Sequence, residues 1–299
     1  VYDSARGLVW AQAPWGYALS LILGGLFFAK KIRSFGFTTF IDVFEHKYGK
    51  KTAAILFIPA LIGEIFWSAA ILAALGITFA TIFELDLETS ILVSASIAIG
   101  YTMMGGLWSV AYTDVVQLIF IILGLGISIP FALDKIGGLD AALTIYDQQI
   151  ANGFTLFPSL NAFTGNDPAW GNSIWVWVDF ALLLIMGGIP WQVYFQRVLS
   201  SNSDRSAVRL SILGGLCCAL MAIPAILIGV AGVGFDWTQS TLGVAPEPTM
   251  VLPYVLLEMT PPIIGALGLG AVAAAVMSSV DSSILSAASM FTWNLYRPL

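Results

Sequence analysis

The 299 residues are 58% hydrophobic and only 10% charged, with a formal net charge of −6 and a mean hydropathy of +0.89. This balance excludes an ordinary soluble domain and predicts an all-α integral membrane protein in contact with a lipid bilayer, with no nucleic-acid partner. The apolar runs are helix-length, and the ten-residue alternating segments of an outer-membrane barrel are not visible in the sequence.

Taken in chain order, apolar runs predict about seven spans, at roughly 9–29, 53–83, 89–107, 112–133, 174–200, 208–233 and 262–292, in one partial transporter domain over 1–299. The chain lacks an initiator methionine and stops shortly after the last predicted span, so it reads as a fragment. Lys30, Lys31, Arg33, Lys47, Lys50 and Lys51 lie between the first two spans, Arg197, Arg205 and Arg209 follow the fifth, and Arg297 follows the seventh. Only Arg6 and Lys135 fall on the other side. Cytoplasmic loops retain positive charge, so the N-terminal end is expected outside and the C-terminal end in the cytoplasm.

The first span carries Tyr17 near its middle, and the second carries Trp67 with Glu64 three residues earlier on nearly the same face. A carboxylate in mid-membrane is costly, so Glu64 is expected to hydrogen-bond across helices, balance a bound cation or keep its proton. The acidic string Glu84-Leu85-Asp86-Leu87-Glu88 reads as a solvated outer loop. A connection of about 40 residues, 134–173, is expected to fold over the outer mouth, with a short helix near 138–150. Trp10, Trp108, Trp170, Trp175, Trp237 and Trp293 fall near span ends, where an interfacial aromatic belt accounts for them.

Within the fifth span, Met186-Gly187-Gly188-Ile189-Pro190-Trp191 is expected to interrupt the helix, because proline removes a backbone donor and the glycines tolerate irregular geometry. Unwound backbone in a bilayer survives only against protein or a wet cavity, although a simple proline kink would also fit. Tyr17, Trp67 and Trp191 then share a depth, as one midplane cavity requires. Packing is the ordinary explanation for any one of them. Together they suit a quaternary ammonium ion, which has no N–H to donate, at about 0.5–2 kcal/mol per ring. Asp179, higher in the fifth span, could draw in a cationic substrate or simply face the outer interface. Cys217 and Cys218 are adjacent in a span and His46 is the sole histidine, so no zinc ligand set is present in the sequence.

The last span holds six serines and an aspartate between Ala271 and Phe291. At helical spacing Ala275, Ser278, Ser279, Ser282, Ser286 and Ser289 fall within an arc of about 100°, with Asp281 about 60° beyond one edge. Such a stripe offers several oxygens and little bulk to a hard cation such as sodium. Close helix packing is the competing explanation.

The strings LFIPALIGEIFWSAAI (56–71), GGIPWQVYFQRVLSS (187–201) and GLGAVAAAVMSSVDSSILSAASMF (268–291) resemble the sodium/solute symporter family. The resemblance implies a leucine-transporter-like inverted-repeat fold, with this chain supplying the third to ninth of thirteen helices. It also implies sodium-coupled, chloride-dependent uptake of choline, at the plasma membrane and by extension at presynaptic terminals and vesicles, with no enzymatic step. Ala275, Ser278 and Ser279 would form part of a sodium site, Tyr17, Trp67 and Trp191 part of the choline pocket, and Asp281 with Ser282 a second cation site. Val280, where alanine is expected, and Trp15, where a smaller aliphatic residue is expected, depart from the pattern. Two rivals remain: a sodium symporter for another small solute, and a seven-helix receptor. Against the receptor, no Asp-Arg-Tyr or Asn-Pro-x-x-Tyr string occurs.

Overall fold

The computed structural model describes residues 1–83 and 85–297, apart from the side chains of 101, 104, 105 and 109; Glu84 of the acidic string therefore lies outside the described residues. Among these residues the secondary structure is helical, with no strand. The first long helix begins as α1 (Ala13–Leu23), passes through a π-helical stretch (Gly24–Ala29) and ends as α2 (Lys30–Ser34). Pro14 sits at its start, where a missing N–H costs nothing. A short α3 (Asp42–Tyr48) leads into α4 (Lys50–Phe83).

In α5 (Leu87–Asp134) two helices meet at Gly106, whose φ of 56° and ψ of −158° a side chain would oppose. The sequence reading put that boundary a few residues later, because hydropathy continues unchanged through the joint. The exposed carboxylate of Asp86 caps α5 by accepting the Thr89 N–H at 2.9 Å. This bond holds the Asp86 carboxyl below the usual aspartate range.

The long connection contains α6 (Leu139–Gln149), the short helix expected there, and α7 (Leu160–Phe163). Tyr146 of α6 is fully buried, and burial pushes its hydroxyl up to about 12. Then follow α8 (Ser173–Gly187), α9 (Gln192–Leu199), α10 (Asp204–Gly234), α11 (Val251–Glu258) and α12 (Pro262–Met290), the last continuing as a π-helical end, Phe291–Tyr296. By length and composition five segments are long and apolar enough to cross a membrane: Lys50–Phe83, Gly106–Asp134, Ser173–Leu199, Asp204–Gly234 and Pro262–Tyr296. Leu87–Gly100 is a shorter apolar helix.

The helices pack in two groups. One joins α12 to α5 and α4; the other joins α1 to α10 and α8. Helix α9 touches both, packing on α10 and α12.

Arg33 pairs with Asp204 at 2.8 Å and donates to the Ser201 carbonyl at 2.9 and 2.6 Å, drawing two of the basic loops together. The Ala151 N–H donates to the Ser4 carbonyl at 3.0 Å, which ties the segment next to Arg6 to the middle of the long connection.

The aromatic belt needs a correction. Trp108 and Trp175 are 77% and 62% exposed, as a belt requires, but Trp170 and Trp237 are each only 6% exposed. Their segments fold back onto the helices. Trp170 stacks on Trp10 at 5.8 Å, and the Trp237 indole N–H donates to the Gly232 carbonyl at 2.9 Å.

Candidate substrate and cation site

Three rings meet between the two helix groups. Tyr17 of α1 lies edge-on to Trp67 of α4, with centroids 6.2 Å apart, and 6.4 Å from Trp191. Trp67 and Trp191 cross almost perpendicularly, at 82° and 5.2 Å. The rings line a mostly apolar cavity of about 850 Å³, joined on the side of the basic loops by Phe40, Ile41, Phe44 and Met290.

Trp191 reaches this position because the helix is interrupted. Helix α8 ends at Gly187 and α9 starts at Gln192, with Trp191 in extended backbone at ψ 126°. At Gly188 an added Cβ would lie 2.4 Å from the Ser20 hydroxyl oxygen, so only glycine lets the end of α8 approach α1 so closely. The interruption expected from the glycines and proline is therefore present, as a true break instead of a kink.

Glu64 is 3% exposed and borders the same cavity. One carboxylate oxygen accepts the Trp191 indole N–H at 2.9 Å and the Ser286 hydroxyl at 3.2 Å; the other accepts the Ser283 hydroxyl at 2.5 Å. Hydrogen bonding across helices, one of the expected ways of carrying this group, is present.

On α12, the Ser278 and Ser279 hydroxyls donate to the Ala275 carbonyl at 2.9 and 3.2 Å, and both residues are half-buried. A serine that gives its hydrogen to a backbone carbonyl still has oxygen lone pairs available to a cation. Ser282 accepts from the Arg197 guanidinium at 2.6 Å, and the same Arg197 pairs with Asp114 at 3.0 Å. Asp281 is fully buried and accepts the Ser282 hydroxyl at 3.2 Å. Gln196 donates to Ser289 at 3.2 Å.

The inner side of the cavity is fastened from two directions. The Phe40 N–H donates to the Gln192 side chain at 2.7 Å, next to Trp191. Asp42 accepts the Thr38 and Thr39 N–H groups at 2.8 and 3.0 Å and the Asn294 amide at 2.7 Å.

Of the residues singled out from sequence, Tyr17, Trp67, Trp191 and Glu64 come together around one cavity. Ala275, Ser278 and Ser279 form a separate group on α12, and Asp281 with Ser282 sits beside Arg197. Asp179 is exposed on α8 and does not line the cavity. Sequence reading missed Ser283, Gln192, Arg197 and Asp114. A signal existed for Ser283, because a buried carboxylate such as Glu64 requires donors from neighbouring helices. No group of three or more His, Cys, Asp or Glu suited to a metal is found among the described residues, so a cation here would depend on hydroxyl and carbonyl oxygens.

Comparison with solved structures places the fold. The chain matches a sodium-coupled sialic acid symporter, seen in a substrate-bound outward-open state, with a TM-score of 0.79 at 22% identity, over 99% of this chain and 63% of that one. The architecture is thus the leucine-transporter-like fold that the sequence implied. Residues 2–299 match the sodium:solute symporter family, and the chain belongs to it as a multi-pass membrane protein. It is 53% identical over 306 residues to high-affinity choline transporter 1 of Torpedo marmorata, covering 99% of this chain and 50% of that protein. Against the Homo sapiens high affinity choline transporter 1 the identity is 51% over 303 residues, again 99% of this chain and 50% of that protein. A sodium/glucose cotransporter of Vibrio parahaemolyticus is 26% identical over 97% of this chain and 56% of its own length. The chain spans about half the length of the curated relatives it matches.

Proposed function

We propose that this chain carries the substrate-binding part of a sodium-coupled choline transporter. The observation that carries the reading is the ring cluster: Tyr17, Trp67 and Trp191 present aromatic surface to an apolar cavity, and the nearby carboxylate of Glu64 is occupied by neutral donors. Aromatic faces attract a quaternary ammonium, which needs no hydrogen-bond acceptor. Relatives named for choline transport, at 51–53% identity, support the same ligand.

Sodium is assigned to Ala275, Ser278 and Ser279, with further ligands drawn from outside this group. Ser282 serves Arg197 in this reading, with Asp281 accepting from Ser282, since a guanidinium 2.6 Å from the Ser282 oxygen already supplies the positive charge there. Sodium binding would favour the state that admits choline, and substrate release inward would follow as the two helix groups move relative to each other. With the N-terminal end outside, in the plasma membrane, each net charge carried inward gains about 2.3 kcal/mol per 100 mV of inside-negative potential. Chloride dependence belongs to the same reading, as does supply of choline to cells that use it for acetylcholine. The other transport reading, a polar solute such as a sugar, is disfavoured because a sugar pocket needs several polar partners where this cavity has rings.

Radiolabelled choline uptake by cells expressing the full protein tests the reading. Replacing sodium with a large organic cation should lower uptake more than tenfold, and replacing chloride with gluconate should lower it further. Uptake that is indifferent to sodium would remove the coupling; no choline uptake at all would remove the substrate.

A further inference from the structure

The bond between Glu64 and the Trp191 indole links three elements that no continuous helix connects. Glu64 is on α4, Trp191 stands in the break between α8 and α9, and Ser283 and Ser286 belong to α12. The Trp191 indole and the Ser283 and Ser286 hydroxyls, which bond the carboxylate, are neutral donors, and none of the ion pairs among the described residues includes it. The indole N–H points at the carboxylate and away from the role of ligand donor. Turning the Trp191 ring about its side-chain torsions would break the 2.9 Å bond and disturb its perpendicular contact with Trp67.

We infer that Glu64 is a positioning residue that selects the substrate indirectly: anchored by Ser283 and Ser286, it fixes the orientation of the Trp191 ring and so completes the cage only when α4, the helix break and α12 are in register. This rests on the choline reading of the same cavity. The role differs from that of a counter-ion. A counter-ion must be charged, whereas a positioning residue must keep its hydrogen-bond geometry.

Glutamine separates the two. In Glu64→Gln the amide oxygen can still accept from Trp191 and Ser286, while the amide nitrogen donates to the Ser283 oxygen, which can accept as well as donate. Leucine in Glu64→Leu removes every acceptor. Trp191→Phe keeps a ring and removes the indole N–H.

The test is equilibrium binding of labelled choline to membranes containing the full protein, normalised to surface protein, with competition by dimethylethanolamine as a measure of selectivity. Glu64→Gln should weaken choline binding by about twofold to threefold, and Glu64→Leu by tenfold or more with a loss of choline preference. In a Trp191→Phe background the same Glu64→Leu change should cost less than threefold, since the bond it removes is already gone. A Glu64→Gln loss as large as that of Glu64→Leu would make the charge essential and overturn the inference, as would full additivity with Trp191→Phe. If Glu64→Leu does not reach the surface, the nearly isosteric Glu64→Gln decides against Trp191→Phe: a Glu64→Gln loss of threefold or less beside a tenfold loss in Trp191→Phe supports the inference, and a Glu64→Gln loss of tenfold or more, or a Trp191→Phe loss under threefold, overturns it. Absence of choline binding to the wild-type protein would instead remove the underlying choline reading, which keeps the two failures distinct.

Discussion

The serine-rich run on α12 divides into two halves that differ in what reaches them from other helices. Ser278 and Ser279 turn their hydrogens back to Ala275 on their own helix. From Ser282 onward the hydroxyls also reach other helices: Ser282 and Ser289 donate to the Ser278 and Leu285 carbonyls of α12 but in addition accept from Arg197 and Gln196, while Ser283 and Ser286 donate to Glu64. A run of serines is therefore no single device. Its first half leaves oxygen lone pairs for a cation, and its second half fixes α12 against α4 and α9.

The comparison can be broken by experiment. The largest effect expected is on substrate: Trp191→Ala should weaken choline binding by about tenfold to a hundredfold, from the lost ring and the stranded Glu64 carboxylate. Trp108→Ala, at a ring 77% exposed, should leave choline binding within twofold. Trp237 would be a poor control, because its buried indole donates to Gly232.

Next comes the first half of the stripe. Ser278→Ala with Ser279→Ala should raise the sodium concentration for half-maximal choline binding by about tenfold, on the order of 1.4 kcal/mol. A pair change that alters choline affinity at saturating sodium but not the sodium requirement would merge the two halves into one.

In the second half, Ser289→Ala removes the acceptor for Gln196 and a bond to the Leu285 carbonyl, and should cost about 0.5–1.5 kcal/mol of stability, read as thermal unfolding in detergent, with the sodium requirement unchanged. The smallest effect lies outside both halves, at Asp86. Its folded carboxyl titrates below the unfolded value of about 3.9, so its contribution is present above that pH and lost as pH falls through the depressed value. Hydrogen exchange at the Thr89 amide, taken relative to the intrinsic rate at each pH, should lose protection over that acid range. Asp86→Asn, which keeps a capping oxygen, should flatten this response.

Much of the site was legible in the sequence where one residue's chemistry dictates its backbone. Gly187, Gly188 and Pro190 announced the break, and the depths of Tyr17, Trp67 and Trp191 announced a shared cavity. Ser283 was hidden because ideal helical geometry puts it about 40° outside the stripe, while its real role depends on which helix lies opposite. Arg197 and Asp114 were hidden for a related reason: each reads as an end-of-span charge, and only the fold shows that α9 carries one to the other. Buried Trp170 and Trp237 show the limit of reading depth from span ends, because a segment that folds back hides a ring that hydropathy leaves at the interface.

The π-helical stretch at Gly24–Ala29 has a consequence for how the chain tolerates insertion and deletion. A π turn holds one residue more than the α-helical path needs, and here its outward residues Leu26, Phe27 and Phe28 are exposed while Gly24 and Gly25 sit against Tyr194 and Ser211. Removing Phe27 alone would let the segment relax into regular α-helix, with Tyr17 above and Arg33 below keeping their faces. A one-residue deletion between Tyr17 and Leu23 would instead rotate Tyr17 relative to Arg33 by about 100°, so that one end of the helix could be seated only by unseating the other.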